Sequence, residues 1–260
     1  MSHYIDTHAH IYSADFKDEL PDVMARCLNE KVEKIFMPNV DHTSIDQMME
    51  VEHRWPSQCF AMMGLHPVSV KKNFERELYI VESWLAKRSF AAVGEIGTDL
   101  YWDKSFWGQQ QEALNIQLGW AKKYNLPVVL HCRESIDETI EIISQHQDGT
   151  LTGVFHCFTG SKEQADAIVM LGFKLGIGGV ATFKKGGLDI VLPDVDLKDI
   201  VLETDSPYLA PVPFRGKRNE PSYIPLIARR VAEIMKRPVE EVQTITTQNA
   251  LALFSQSYES

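Results

Sequence analysis

What this 260-residue chain lacks narrows its chemistry before any motif is considered. It has no apolar run long enough to span a membrane. Its N-terminus carries no basic, apolar, small-residue signal pattern, so the expected setting is cytoplasmic, away from any membrane. Its cysteines number only four, Cys27, Cys59, Cys132 and Cys157, and none is spaced as CxxC. That argues against a disulfide framework and suits a reducing compartment. Positive charge is scarce too: 26 Lys and Arg against 36 Asp and Glu give a formal charge of −10. A broad basic face for duplex DNA is therefore not expected, although a small cationic pocket is not ruled out. No repeat, low-complexity segment or linker interrupts the chain, so residues 1–260 are expected to form one domain. No segment marks an obligate protein partner.

What is present alternates. Short apolar, β-branched runs at 3–7, 34–38, 58–63, 90–94, 127–131, 152–156, 173–178 and 199–203 read as strands. Helical stretches lie between them near 18–30, 43–54, 75–87, 105–124, 135–146, 162–171 and 184–192, and two more follow near 222–236 and 239–253. Asn125-Leu126-Pro127 stops the fourth helix, and Ser161 with Gln164 predicts a capping box for the sixth. Eight strands alternating with helices imply parallel pairing and right-handed crossovers. The expected fold class is α/β, a TIM-type (β/α)8 barrel, with chemistry at the C-terminal strand ends. A doubly wound open sheet is the alternative, but it would not gather the first and last strands at one site.

Metal-ligand residue types recur where that fold places its chemistry. His8 and His10 end the first apolar run, and i and i+2 in a strand share a face. Glu95, His131, His156 and Asp205 end or follow later runs. Singly, each has an ordinary explanation: a solvated acid, a hydrogen-bonded histidine, or a turn-forming Asp before Ser-Pro. Jointly, six N/O ligands at matching ends of one barrel describe a hydrolase metal centre.

The motifs then become specific. Asp6-Thr-His-Ala-His10, Gly64-Leu-His-Pro67, Gly94-Glu-Ile-Gly97, His131-Cys-Arg-Glu134, His156-Cys-Phe-Thr-Gly160, Glu203-Thr-Asp-Ser-Pro207 and Arg218-Asn-Glu-Pro221 follow one another along almost the whole chain. In that order they resemble the TatD family of metal-dependent deoxyribonucleases, within the amidohydrolase-like hydrolases. Two departures stand out: Thr98 where the family usually has Leu, and Cys132 where serine is commoner. The resemblance implies two divalent ions (Mg, Mn or Zn). It places His8, His10, Glu95 and Asp205 at one, and Glu95, His131 and His156 at the other, with Glu95 as the bridge. Their net positive charge suits a phosphodiester, and a metal pair can both activate water and stabilise the leaving oxygen. No serine or cysteine nucleophile is needed. Asp205 is expected to orient the water. Glu203 is expected on the same face, as a supporting acid or water holder, with an ordinary solvated acid as the alternative.

The resemblance further implies a DNA substrate, single-stranded or with a free 3′ end, digested 3′ to 5′. It implies phosphate or substrate contacts around His66, Arg133, Arg215 and Asn219. Lys184, Lys185, Lys217 and Arg218 are possible rim charges, and Trp102, Phe183 and Tyr208 could stack on bases or simply pack under loops. Alternation should turn Cys132 and Cys157 toward the helix layer, in packing roles, and Asp6 is expected as support. Two other functions remain open: hydrolysis of a small amide, lactone or phosphoester on the same metals, and a non-catalytic binding barrel.

Overall fold

The computed structural model describes residues 3–255. Eight strands alternate with helices: β1 (Tyr4–Asp6), α1 (Leu20–Asn29), β2 (Val32–Pro38), α2 (Ile45–Arg54), β3 (Cys59–Met62), α3 (Phe74–Leu85), β4 (Val93–Asp99), α4 (Trp107–Tyr124), β5 (Val128–Arg133), α5 (Ile136–His146), β6 (Gly153–Phe155), α6 (Lys162–Met170), β7 (Phe173–Ile177), α7 (Leu188–Val191) and β8 (Ile200–Leu202). Two further helices follow, α8 (Ile224–Met235) and α9 (Val239–Leu253). All paired strands are parallel, in the orders β1-β2-β3 and β4 through β8. Backbone bonds close the two seams into the TIM barrel. Met63 donates to Ala92 and Gly94 to Met63 between β3 and β4, while Thr7 donates to Leu202 and Asp205 to His8 between β8 and β1.

One apolar cluster draws on strands around the ring: Ile5, Phe36, Met62, Ala92, Val129, Val154 and Val201. Ala250 and Phe254 join it, so the end of α9 seals the N-terminal mouth, where Asn249 also donates to the carbonyls of Leu197 and Ile200. The larger cluster lies between strands and helices. Floor and wall are thus apolar and fixed, and polar side chains collect at the opposite mouth, as expected for a barrel enzyme.

Local signals explain the helix ends. Asn125 ends α4 in the left-handed region at φ 54°, and the predicted capping box of Ser161 and Gln164 opens α6. Two expectations are corrected. The helix predicted over 184–192 shrinks to Leu188–Val191 among 3-10 turns, because Gly186-Gly187 and Pro193 break it. The fourth strand runs to Asp99, well past 94. Its polar tail Gly-Glu-Ile-Gly-Thr-Asp is buried throughout, so tertiary contacts override its poor strand composition.

Candidate metal centre

Glu95 lies within β4, 2% exposed, and its two oxygens face different neighbours. Oε2 is 3.2 Å from His8 Nε2 and 3.6 Å from His10 Nε2. Those nitrogens lie 3.3 Å apart, and Asp205 Oδ1 is 3.8 Å from the first and 3.7 Å from the second. Oε1 is 3.0 Å from His131 Nδ1, 3.4 Å from His156 Nε2 and 3.4 Å from His66 Nε2. The barrel makes this possible. Closure of β8 on β1 brings Asp205 to His8, and β4 lies against β5 closely enough for His131 to reach Glu95. At Gly97 a Cβ would stand 2.0 Å from the His131 carbonyl oxygen, and φ there is +137°, so glycine is required. Asp205 itself takes φ 57°, a strained conformation for a side chain and one often stored at functional sites.

The far nitrogen of each ring fixes what the near one offers. Tyr12 Oη donates to the Pro38 carbonyl at 2.6 Å, so it must accept from His10 Nδ1 at 2.8 Å, and Nε2 keeps its lone pair. Glu203 Oε1 sits 3.0 Å from His156 Nδ1, and Asp99 Oδ2 sits 2.9 Å from His131 Nε2. Those carboxylates favour a proton on the far side and a lone pair toward Glu95. His66 differs. The Val68 backbone N–H donates to its Nδ1 at 3.0 Å, so the neutral ring carries its proton on Nε2. His66 therefore presents N–H to Glu95 and is a donor rather than a ligand, although it clusters spatially with Glu95 and His131.

Lone pairs and carboxylate oxygens crowded together repel unless protons or a cation lie among them. The observed spacings are those of one cation's ligands: with bonds of about 2.0–2.2 Å, tetrahedral neighbours stand roughly 3.4 Å apart. The residues fit a divalent metal on each side of Glu95.

The comparisons with known proteins agree on a metal-dependent hydrolase. The family described as TatD related DNase matches residues 5–255. The chain belongs to that family. An uncharacterized metal-dependent hydrolase of Bacillus subtilis, YabD, is 36% identical, covering 96% of this chain and 98% of that protein. A protein of Edwardsiella piscicida named 3′-5′ ssDNA/RNA exonuclease TatD is 30% identical over 96% of this chain and 98% of its own. The crystal structure of the TatD homologue YJJV from Escherichia coli superposes with a TM-score of 0.91 at 30% identity, covering 97% of this chain and 98% of that one. The chain is accordingly a TatD-family metal-dependent hydrolase, and no helix among the described residues is long and apolar enough to cross a membrane.

The TatD-family site opens into a cleft of about 610 Å³ lined by His10, His66, Glu95, His131, His156 and Asp205, with Arg133, Trp102 and Tyr208 at its sides. His66 and Arg133 thus reach the cleft as expected. Arg215 and Asn219 do not. Arg215 is exposed, its guanidinium 4.5 Å over the Phe183 ring. Asn219 is buried, and its amide donates to the carbonyls of Thr204 and Tyr208, leaving no hydrogen for substrate. Lys184, Lys185 and Lys217 are exposed outside the cleft, and Arg218 is held by Glu19 and the Asp15 carbonyl.

Glu203 is fully buried and faces His156, not solvent; at Gly176 a Cβ would stand 2.4 Å from its Oε2. Asp6 supports, accepting from the backbone N–H groups of His8 and Thr204. Asp99 and Tyr12 were missed as ring-orienting groups; Asp99 follows Glu95 by four along β4, a spacing that returns to one strand face, whereas Tyr12 lies in a turn beyond β1 where alternation gives no signal. Cys132 pairs across strands with Thr98, and both meet Thr139 of α5, so the two family departures share one site in the helix layer. Cys157 lies beyond β6 at φ 50°, where alternation no longer applies. Burial and the nearby Asp205 and Glu203 carboxylates push its thiol well up, keeping it protonated and unsuited to ligation.

Proposed function

We propose that this TatD-family hydrolase is a deoxyribonuclease that removes nucleotides from the 3′ end of single strands. The observation that carries the reading is the division of Glu95, one oxygen to His8 and His10, which Asp205 also approaches, the other to His131 and His156. On this reading His8, His10, Glu95 and Asp205 hold one divalent cation, and Glu95, His131 and His156 hold a second, with Mg2+, Mn2+ and Zn2+ as candidates. Two such cations supply Lewis-acid stabilisation of phosphate charge and easy ionisation of an attacking water.

The chain's own residues do the rest. Asp205 is 14% exposed at its side chain and lines the cleft, so it is the carboxylate placed to take the water's proton. Burial raises its carboxyl to about 7, against the lowering effect of His156, and a bound cation would favour the ionised form that a base needs. His66 offers its Nε2 hydrogen to the phosphate or the leaving oxygen. Arg133 faces the same cleft as a partner for phosphate oxygens. Glu203 acts through His156 as a positioning residue. Water oxygen bonds to phosphorus, the P–O bond to the 3′ oxygen of the shortened strand breaks, and that oxygen gains a proton. The confined cleft suits a strand end better than a continuous duplex, and the named 3′-5′ exonuclease relative supports the direction.

End-labelled linear single strands, the circular form and duplex, each with Mg2+, Mn2+ or Zn2+, test the reading. The expected result is a ladder shortening from the 3′ end and an intact circle. Equal cutting of the circle would make the exonuclease assignment wrong. If neither form is cut while a small activated phosphoester is, hydrolysis of small esters takes its place.

A further inference from the structure

We propose that Trp102 and Tyr208 stack on the two consecutive nucleobases flanking the scissile bond, so that the cleft grips a strand end through base faces and not base edges. This rests on the nuclease reading above and deepens it by naming what the site recognises beyond phosphate.

The first observation is exposure in the wrong place for packing. Trp102 is 64% exposed and Tyr208 58%, yet both line the cleft that holds Glu95. Large aromatic surface left open beside a reaction centre marks a binding surface. The second is their position. The Tyr208 ring centroid lies 6.2 Å from that of His10, on the His8 and Asp205 side. Trp102 follows β4 on the His131 side. One aromatic therefore serves each side of Glu95, as two bases either side of one phosphate require.

The third observation is that both are anchored to the same residues that build the centre. Asp99 accepts from the Trp102 backbone N–H at 2.9 Å and holds His131 through its other oxygen at 2.9 Å. The Tyr208 N–H donates to the Asp205 carbonyl at 2.8 Å, and its own carbonyl accepts from Asn219 at 2.6 Å. Neither loop can shift without disturbing a ligand-bearing residue. Arg133 completes the arrangement, its guanidinium 3.8 Å over the Tyr101 ring and 5.3 Å from the Trp102 ring, which places a cation beside the aromatic face.

The last observation concerns what the wall cannot do. Its other hydroxyls have spent their hydrogens: Tyr12 on Pro38, Ser13 on Asp15, and Ser69 on Asp41. None of these three can donate to a base edge, whereas stacking accepts every base. The cleft should therefore tolerate any sequence but require the bases to be present.

The test uses the full chain loaded with Mg2+ or Mn2+ and a linear single-stranded oligonucleotide, intact or with an abasic residue at the terminal or the penultimate position. With the unaltered protein, each abasic position should lower kcat/KM roughly tenfold or more. W102A and Y208A should each cause a similar loss on the intact strand. Each should add less than about twofold when the base it serves is already missing, because the contact is then gone. Abasic strands cut as fast as intact ones, or losses that multiply in every combination, would overturn the stacking proposal and leave the nuclease reading standing. Turnover of bis(p-nitrophenyl) phosphate without any cutting of the oligonucleotide would bring both down.

Discussion

The two sides of Glu95 use the same residue type at the same depth and arrive at opposite electrostatics. On the His8 and His10 side, the ring behind the centre meets neutral partners or none among the described residues: Tyr12 hydroxyl for His10, and no hydrogen-bond partner among them for the buried His8 Nδ1. Burial then lowers His10 to about 4 and His8 well below its ordinary value. On the other side each ring is backed by a carboxylate, Asp99 for His131 and Glu203 for His156. Burial again disfavours the charged rings, but the carboxylates outweigh it. His131 is raised, and His156, beside Glu203 and Glu95, reaches about 10. The lesson is that burial sets the cost of charging a ring, and the group behind it decides whether the ring charges. An anionic partner makes a more basic ligand, yet one that must release a proton before a cation can enter.

Glu95 is the side chain whose two oxygens serve the two sides, so removing it should erase the comparison altogether. Glu95→Ala is expected to lose essentially all metal-dependent turnover while circular dichroism reports an intact barrel, and chelation of the unaltered protein should do the same. Substantial activity in either sample would mean that the reaction does not run through this centre.

The partners behind the rings offer a finer cut. Asp99→Asn replaces a carboxylate with an amide behind His131, and should weaken metal binding on that side by about 10–100-fold. Tyr12→Phe removes only a neutral acceptor behind His10 and should cost less. Calorimetric titration of each variant with Mn2+ measures both. A larger loss for Tyr12→Phe would reverse the ranking argued from charge.

Proton release sharpens the same contrast. At pH 7 His10, at about 4, is already neutral, so a cation entering its side displaces at most the partly bound proton of Asp205, raised to about 7. His156, at about 10, carries a full proton and must surrender it. Affinity on the His131 and His156 side should therefore keep rising as pH climbs from 8 toward 9, where the other side has levelled off. Calorimetry in two buffers of different ionisation enthalpy counts the protons, and equal release for both equivalents would refute the contrast.

How far the sequence carried the reading follows from which contacts are local. Strand alternation and motif order placed His8, His10, Glu95, His131, His156 and Asp205 at one mouth, because a parallel barrel sends every strand end to the same face. The same rule would have reached Asp99 had it been carried further along β4, but not Tyr12, which lies in a turn beyond β1. Asn219 and Arg215 were not legible, whereas Glu203 was expected as a supporting acid and stands behind His156. Whether a polar side chain faces the cleft or a neighbouring carbonyl depends on loop packing, and Asn219 looks the same in sequence whether it binds substrate or holds Tyr208. The β4 boundary failed for a related reason: a tail that reads as loop is made strand by pairing with β5 through Asp99 and Arg133.

The smallest expected effect concerns the two cysteines, which directly follow His131 and His156 and so belong to the side where carboxylates back the rings. If sulfur helped to hold a cation there, the contrast would be one of ligand type and not of partner charge. Geometry argues otherwise. Cys132 is turned to Thr139 of α5, and burial lifts its thiol to about 12. Cys157 contributes its backbone N–H to Glu203 at 2.5 Å, a bond that any residue can make, and its thiol is held protonated. The double variant Cys132→Ser, Cys157→Ala should therefore bind the same number of metal equivalents as the unaltered chain. Stability should fall by about 0.5–3 kcal/mol in total, from a hydroxyl replacing sulfur at Thr139 and a small cavity beside His156. Metal content by elemental analysis on folded protein, with thermal unfolding alongside, separates the two effects. A folded double variant that has lost one equivalent would show that the His131 and His156 side depends on sulfur, and the argument from carboxylate partners would then fail at its base.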